Sequence, residues 1–404
     1  MRGYLGREAA DGSRSADPIS DRPDGFLPIL FLHIPRTGGL TLKTMLEAIY
    51  GQARSFSDAH LYETPEPDLN RFALIEGHLQ SGYFAGRFGP SWSLNGMTML
   101  REPVARVVSQ ARHLRALPQT TEHGSVKSTL RDPTAAFENA PSLRNLQTKL
   151  LAHRLSPRAT VDEGALELAM AVLDQLPFGL TDRFDTSVSL FAERYELALP
   201  RFPNVNPSPE AGDPDLRSEE FRAAALAFND LDVRLYQHAA DLFERRVNRY
   251  VEMLMNLSLD EGCLEGSARP GPPGRPTDKV LPLEPGAATF TFDGWALVDG
   301  HPPDAVLARI GGLTTPLCCR VSLRGVAIRT RNISNRYSGY IGTVDIPPDA
   351  ETLELIAFDR ARGRSARHSF RLARPKVRGK RSTGLVRHGH RAMRYVRGLP
   401  QKRG

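Results

Sequence analysis

An apolar run that passes into a glycine-rich turn and then a helix pattern is the feature that most constrains this chain. The segment "PILFLHIPRTGGLTLKTMLEAIYG" occupies residues 28–51. Its first part is typical of a strand covered on both faces in a parallel sheet. Leu40, Met45 and Ile49 follow at helical spacing, and Gly51 is a helix stop signal. The segment predicts a strand–turn–helix unit of an α/β fold.

Further strand and helix patterns extend this unit. "FALIEGH" (72–78) predicts a second strand, and "GMTMLREPVARVVSQARHLRAL" (96–117) predicts a strand that leads into a helix. Pro103 stands in the first turn of that helix, where its missing N–H costs nothing. Helices are predicted at about 133–154 and 161–175. Strands that alternate with helices predict a three-layer α/β domain.

The composition divides the 404 residues into five parts. Residues 260–288 include "GSARPGPPGRPTDKVLPLEPGAA", which is typical of a Pro/Gly-rich linker. Short alternating runs such as "TFTFDGWALVDG" and "TLELIAFDR" then predict a small antiparallel β-sandwich, an accessory module for glycan or protein binding. The predicted parts are a disordered lead 1–25, an α/β domain 26–259, a linker 260–288, a β-sandwich module 289–373 and a basic tail 374–404.

The positive charge belongs to the tail. Residues 374–404 hold eleven Lys or Arg and no acid, so the rest of this +7 chain carries a formal charge of −4. Such a tail is a solvated disordered segment, a contact to an anionic membrane or polyanion, or a nucleic-acid arm. Three cysteines without metal-ligand spacing favour a reducing compartment. With no apolar signal or membrane segment, we expect a cytoplasmic protein, and a peripheral position at the membrane follows only if the tail contacts anionic lipid.

The first turn has the chemistry of an anion site. The first N–H groups of a helix lack partners and lie at the positive end of its dipole. Gly38 and Gly39 permit close backbone approach, Thr37 and Thr41 add hydroxyls, and Arg36 adds a charge. The turn is not a Walker A loop, because the Gly-x-x-x-x-Gly-Lys-Ser/Thr pattern is absent. A tight turn that binds nothing is the alternative.

A second cationic turn follows the strand at about residue 96. "LREPVARVVSQ" places Arg101 at a strand end and Ser109 on the helix after it. Ligands of open α/β sheets lie beyond the carboxyl ends of the strands, so two such turns predict a ligand with two separated phosphates. The alternatives are a salt bridge of Arg101 with Glu102 and an ordinary helix serine.

These two segments resemble the donor-binding elements of sulfotransferases. "FLHIPRTGG" resembles the loop usually written His-x-Pro-Lys-Thr-Gly-Gly, and "REPVARVVS" resembles the 3′-phosphate element. The similarity is to the branch of heparan sulfate 2-O-sulfotransferase and its bacterial relatives, and it covers roughly residues 26–250. It implies a P-loop-like core that binds 3′-phosphoadenosine-5′-phosphosulfate (PAPS). We expect no metal, because the predicted phosphate cations are arginines and no clustered carboxylates follow a strand. By resemblance, Arg36, Thr37, Gly38, Gly39 and Thr41 hold the 5′ end, and Arg101 and Ser109 hold the 3′ phosphate.

The resemblance also implies catalytic roles. Arg36 stands where the family usually has Lys; because guanidinium keeps its proton, we expect Arg36 to stabilise leaving-group charge. His78 is the candidate base for the acceptor hydroxyl, since histidine titrates near neutral pH. Glu76, on the same strand face, is expected to orient His78. By contrast, His33 is expected to pack and His113 to be a surface residue.

The acceptor side is less defined. Asn145 and Gln147 in "RNLQTKL" are candidate acceptor contacts by resemblance, with capping or surface roles as alternatives. We expect a sulfotransferase that sulfates a hydroxyl of a carbohydrate or glycolipid by in-line transfer. A non-catalytic nucleotide- or glycan-binding protein and a P-loop kinase are the alternatives, and the oligomeric state is open.

Overall fold

The computed structural model describes residues 28–57, 72–78, 96–116, 132–156, 160–197, 215–270, 280–283 and 287–373. The predicted N-terminal lead and the basic tail, with the membrane and polyanion contacts expected of it, lie outside these residues. Among the described helices, none has the length and apolar content required to cross a membrane.

Among the described residues, five parallel strands form the first sheet, in the order β2–β3–β1–β4–β5. All four residues of the first strand, "ILFL", are buried, as an interior strand of a parallel sheet requires. β1 pairs with both β3 and β4, and the chain leaves β1 and β4 towards opposite edges. The crevice beyond their carboxyl ends is therefore the switch point, where open α/β sheets bind ligands. The strands are β1 Ile29–Leu32, β2 Ser55–Ser57, β3 Leu74–Gly77, β4 Gly96–Leu100 and β5 Phe178–Leu180.

Helices cover both faces of this sheet. Because strand side chains alternate, Leu30 and Leu32 face a core with α4, α5 and α8, whereas Ile29 and Phe31 face a core with α1 and α6. The predicted mixed α/β class with a parallel sheet is confirmed. The helices are α1 Gly39–Tyr50, α2 Pro103–Ala116, α3 Pro133–Asn139, α4 Leu146–Leu155, α5 Glu163–Gln175, α6 Phe184–Tyr195, α7 Glu219–Ala227 and α8 Asp230–Met255.

The helix predicted at 133–154 is two helices. α3 ends at Asn139, a 3₁₀ turn begins at Pro141, and α4 starts after Asn145, which has a left-handed φ of 39°. Proline lacks the N–H that an uninterrupted helix needs, so the break falls at Pro141. This break lets α4 approach the end of β4.

In the described part of residues 260–373, nine strands form a second, mostly antiparallel sheet that curls on itself. Its path runs β6–β14–β13–β10–β11–β12–β9–β7, with β8 paired to β14. The antiparallel part of the sandwich prediction is confirmed, in the form of one curled sheet. The elements are β6 Asp260–Glu261, β7 Leu264–Pro270, β8 Val280–Pro282, β9 Thr289–Val298, β10 Ala305–Ile310, β11 Leu313–Val321, helix α9 Arg324–Thr330, β12 Gly339–Asp345, β13 Thr352–Asp359 and β14 Arg364–Ala373.

The segment 260–288, predicted as a linker, contributes three of these strands. β7 pairs with β9 from Leu264 to Pro270, and β8 pairs with β14. Ala268 and Leu281 are fully buried in the core of the second sheet. Because Pro and Gly dominate the composition of this segment, its few apolar residues do not produce a strand pattern. Their burial stabilises the pairing of these strands with the sheet.

The second sheet packs directly on α6. Cys318 of β11 is fully buried in one cluster with Val188 and Phe191. Arg360 forms a two-pronged ion pair with Glu193, with N–O distances of 2.7 and 2.8 Å. This contact brings β9 and β12 beside the carboxyl edge of the parallel sheet.

Candidate functional site

A cavity of about 990 Å³ opens at the carboxyl edge of the parallel sheet. Its described wall is made by the segments that follow β1, β3, β4 and β5, by residues of α1, α2 and α6, and by β9 and β12. Of the residues that the sequence singled out, the wall includes Arg36, Gly38, Gly39, Thr41, His78, Arg101 and Ser109. It also includes His33 and His113.

The turn after β1 depends on two glycines. Gly38 has a φ of 81°, a left-handed conformation that L residues adopt only with strain. A Cβ at Gly39 would lie 2.2 Å from Cδ2 of His33, so the His33 ring lies against this glycine. His33 thus packs, as the sequence predicts, although part of it also faces the cavity.

The first residues of α1 lie on the cavity wall. Gly38 is its N-cap residue, provides no side-chain cap, and the first turn contains no acid. Thr41, largely buried, lies on the cavity wall. Thr37 is fully buried, and its hydroxyl donates to the carbonyl of Ile34 at 2.8 Å. Thr37 was expected to offer its hydroxyl to the donor, but the bond to Ile34 uses that hydroxyl to shape the turn. The dipole and first N–H groups of a helix start favour an anion at this place.

Arg36 and Arg101 come from different strand ends and lie in direct contact. Nη1 of Arg101 donates to the carbonyl of Arg36 at 3.1 Å, and Nε of Arg36 donates to Oγ of Ser109 at 3.1 Å. These bonds hold Arg36 at a φ of 71°, which costs a non-glycine residue roughly 1–2 kcal/mol.

Both guanidinium groups are half-buried. Burial lowers the pKa of Arg36, and burial together with the neighbouring Arg36 charge lowers the pKa of Arg101. Among the described residues, no carboxylate forms an ion pair with either group. Glu102 and Asp182 act on Arg101 only at longer range. Two adjacent cations that remain charged near neutral pH and form no described ion pair make an anion-attracting pair.

Gln147 and Asn145 make their contacts inside the protein. The Gln147 amide accepts from the N–H of Arg101 and donates to its carbonyl, both at 2.9 Å. The Asn145 side chain accepts from the N–H of Asp232 at 3.1 Å, at the start of α8. Neither residue belongs to the described cavity wall. Gln147 therefore positions Arg101, and Asn145 positions the start of α8. Their contact with an acceptor stays a prediction.

His78 is exposed at the end of β3 and borders the cavity. Its ring stands edge-on to His33, with 6.3 Å between centroids. Glu76 does not take the orienting role predicted for it: its buried carboxylate accepts from Nζ of Lys43 at 2.5 Å. Burial is the main cause that lowers the pKa of His33 to about 4, so His33 is neutral at pH 7. His78 is the exposed histidine of the two.

Thr181 joins the two cationic turns and is not found by sequence reasoning. Its hydroxyl lies 2.7 Å from the carbonyl of Thr37 and 2.9 Å from that of Leu100. Thr181 follows β5 as Arg101 follows β4, but the sequence analysis predicts no strand at 178–180, so the position of Thr181 carried no signal there. Asp185, Thr291 and Ile341 also line the cavity, and the last two had no signal because the β module was expected to be independent.

Comparison with known proteins gives no assignment: no protein-family model and no curated protein sequence matches the chain. Within the described ranges, no group of three or more His, Cys, Asp and Glu side chains is arranged to hold a metal ion. The geometry of the cavity is therefore the basis for a functional conclusion.

Proposed function

We propose that the protein is a sulfotransferase that moves a sulfuryl group from PAPS to a hydroxyl of a carbohydrate or glycolipid. The observation that carries the proposal is the meeting of Arg36 and Arg101 at the N-terminus of α1, in one cavity at the switch point of the sheet. A donor with phosphates on both the 5′ and the 3′ oxygens of its ribose suits two linked cationic turns. The strand order β2–β3–β1–β4–β5 and the glycine turn between β1 and α1 support a P-loop-like core.

The donor is held by complementary groups. The uncapped start of α1, Gly38, Gly39 and Thr41 receive the 5′ phosphosulfate, since backbone N–H groups and a helix dipole favour anions. Arg101 and Ser109 receive the 3′ phosphate, and Gln147 fixes the backbone of Arg101. Thr37 acts through the shape of the turn.

Transfer forms a bond from the acceptor oxygen to sulfur and breaks the bond from sulfur to the bridging phosphate oxygen. The electron pair of the broken bond stays on the phosphate, where Arg36 stabilises the developing charge. The proton of the acceptor hydroxyl passes to His78, which borders the same cavity. The products are a sulfate ester and 3′-phosphoadenosine 5′-phosphate.

A binding protein without transferase activity is the second candidate. Arg36 stands in the place of the family's Lys, and the Glu76 carboxylate is paired with Lys43, so it leaves the His78 ring without the predicted orienting contact. Both observations are compatible with nucleotide binding alone. A kinase is distinguished by preference for ATP.

The test combines titration and transfer. We expect 3′-phosphoadenosine 5′-phosphate to bind by calorimetry at least tenfold more tightly than ATP, and labelled sulfate to pass from PAPS to a glycan pool. Arg36→Ala should lower turnover about 10²-fold with a much smaller change in donor affinity. His78→Ala should abolish transfer while donor binding persists. Arg183→Ala, which removes an exposed ion pair with Glu244, is the matched control.

Tighter binding of ATP would overturn the assignment in favour of a kinase. Binding of the bisphosphate with no transfer would favour the binding protein. Unchanged turnover of His78→Ala would remove His78 from the role of base.

A further inference from the structure

One part of the cavity wall carries no arginine and comes from the second sheet and α6. Thr291 of β9 and Ile341 of β12 line the cavity together with Asp185 of α6. β9 and β12 contain no Lys or Arg, but each contains one aspartate, Asp293 and Asp345. The cavity therefore has a cationic part at the strand ends and a hydroxyl- and carboxylate-bearing part at this sheet.

A chain of hydrogen bonds fixes the polarity of this wall. Thr291 and Thr343 are cross-strand partners, with 2.8 Å between their hydroxyl oxygens. Thr343 donates to Oδ2 of Asp185 at 3.2 Å. A hydroxyl has one proton, so the proton of the Thr291–Thr343 bond comes from Thr291.

The groups left for a ligand are all acceptors. Thr291 keeps its lone pairs, and Oδ1 of Asp185 has no partner among the described residues. Burial raises the pKa of Asp185, and the Thr343 bond partly offsets this. A wall of hydrogen-bond acceptors beside apolar Ile341 is complementary to a molecule that presents several hydroxyl donors on an apolar carbon frame.

We infer that this wall, formed by Asp185, Thr291 and Ile341, binds the acceptor, and that the acceptor is an uncharged polyhydroxylated molecule such as a neutral saccharide. The inference rests on the proposed sulfotransferase function and specifies its substrate class. A uronate or a sulfated polymer would place its own anions against the Asp185 carboxylate and would be repelled. The donor's anions are accommodated at the arginines instead.

The first experiment uses the full chain with labelled PAPS and two sets of acceptors. The neutral set is maltooligosaccharides, dextran and a galactolipid in micelles; the anionic set is hyaluronan, chondroitin and heparosan. We expect label in the neutral set only. Asp185→Asn should raise the KM for the labelled neutral acceptor at least tenfold, because an acceptor oxygen with full charge is replaced by an amide.

Thr291→Val removes the second acceptor without changing charge, and we expect about a tenfold rise in the same KM. Thr352→Val, at the exposed start of β13, is the matched control and should leave the KM unchanged. All three variants should bind 3′-phosphoadenosine 5′-phosphate within twofold of the parent, which also shows that each is folded.

Each contrary outcome has a distinct meaning. Transfer to the anionic set, or an unchanged KM in both Asp185→Asn and Thr291→Val, overturns this inference and leaves the sulfotransferase proposal intact. Binding of the bisphosphate with label in neither set also overturns the inference. Failure to bind the bisphosphate overturns the proposed function, and the inference with it.

Discussion

α1 and α2 both start at the cavity after an arginine of the cavity wall, and they satisfy their first N–H groups differently. α1 starts at Gly39 with no side-chain cap and no acid in its first turn. α2 starts after Glu102, whose carboxylate accepts from the N–H groups of Val104 and Ala105 at 3.1 and 2.7 Å. One helix N-terminus is left to a ligand, and the other is occupied by its own chain.

The difference separates two ways of building an anion site from one strand–turn–helix pattern. At α1 the backbone and dipole contribute, and glycine is required for close approach. At α2 the side chains of Arg101 and Ser109 must supply the attraction, because Glu102 already neutralises the helix start. The salt bridge between Arg101 and Glu102, considered as an alternative from sequence, gives way to capping by Glu102 and a bond from Arg101 to Arg36.

The largest effect is expected from Gly39→Ala. The new Cβ would lie 2.2 Å from the His33 ring, so the start of α1 must move. We expect calorimetry to show a loss of at least 10²-fold in affinity for 3′-phosphoadenosine 5′-phosphate, in line with misplacement of a preorganised site. Gly164→Ala, in the first turn of α5, is the control and should leave binding unchanged. Adding His33→Ala should restore part of the affinity; if it restores none, the clash is not the cause.

A smaller effect concerns the stability of the same turn. Burial lowers the pKa of His33 from 6.5 to about 4, so the unfolded chain binds a proton more readily than the folded one. The free energy of unfolding should therefore fall as pH falls from 6.5 towards 4, by on the order of 2 kcal/mol. Urea unfolding of the parent and of His33→Asn across this range isolates the contribution of His33. Equal slopes in the two proteins would contradict the assignment.

The smallest effect is expected at the second helix start. Glu102→Gln removes the negative charge from the N-terminus of α2 and should strengthen bisphosphate binding about two- to fivefold, as the helix dipole then favours the ligand. Asp162→Asn weakens the equivalent cap of α5, which is made through the N–H of Ala165. This control should lose about 1 kcal/mol or less in unfolding free energy and leave binding unchanged. Weaker binding in Glu102→Gln would erase the contrast between the two helices.

Much of the parallel-sheet domain can be predicted from local sequence patterns. The run "ILFL" and the turn with Gly38 and Gly39 predict a parallel strand and a helix start because burial and backbone conformation are determined there by adjacent residues. The strands within 260–288 escape prediction because their pairing with β9 and β14 supplies stability that local composition does not show.

Contacts between distant residues explain the differences at the site. Gln147 reaches the backbone of Arg101 and Lys43 reaches Glu76, across 46 and 33 positions of sequence. A resemblance assigns residue types to roles, but the partner that a polar side chain chooses depends on tertiary packing. The contribution of Thr291 and Ile341 to the cavity has the same origin, since only the docking of the second sheet on α6 creates it.

The packing of the second sheet on α6 determines where this protein can be truncated. A fragment that stops near residue 259 would uncover Val188 and Phe191, leave Glu193 without its arginine, and remove Thr291 from the cavity. Such a fragment would retain both cationic turns, lose one wall of the cavity and expose an apolar surface that favours aggregation. The second sheet is therefore a structural part of the cavity wall, and a truncation near residue 259 would remove that part.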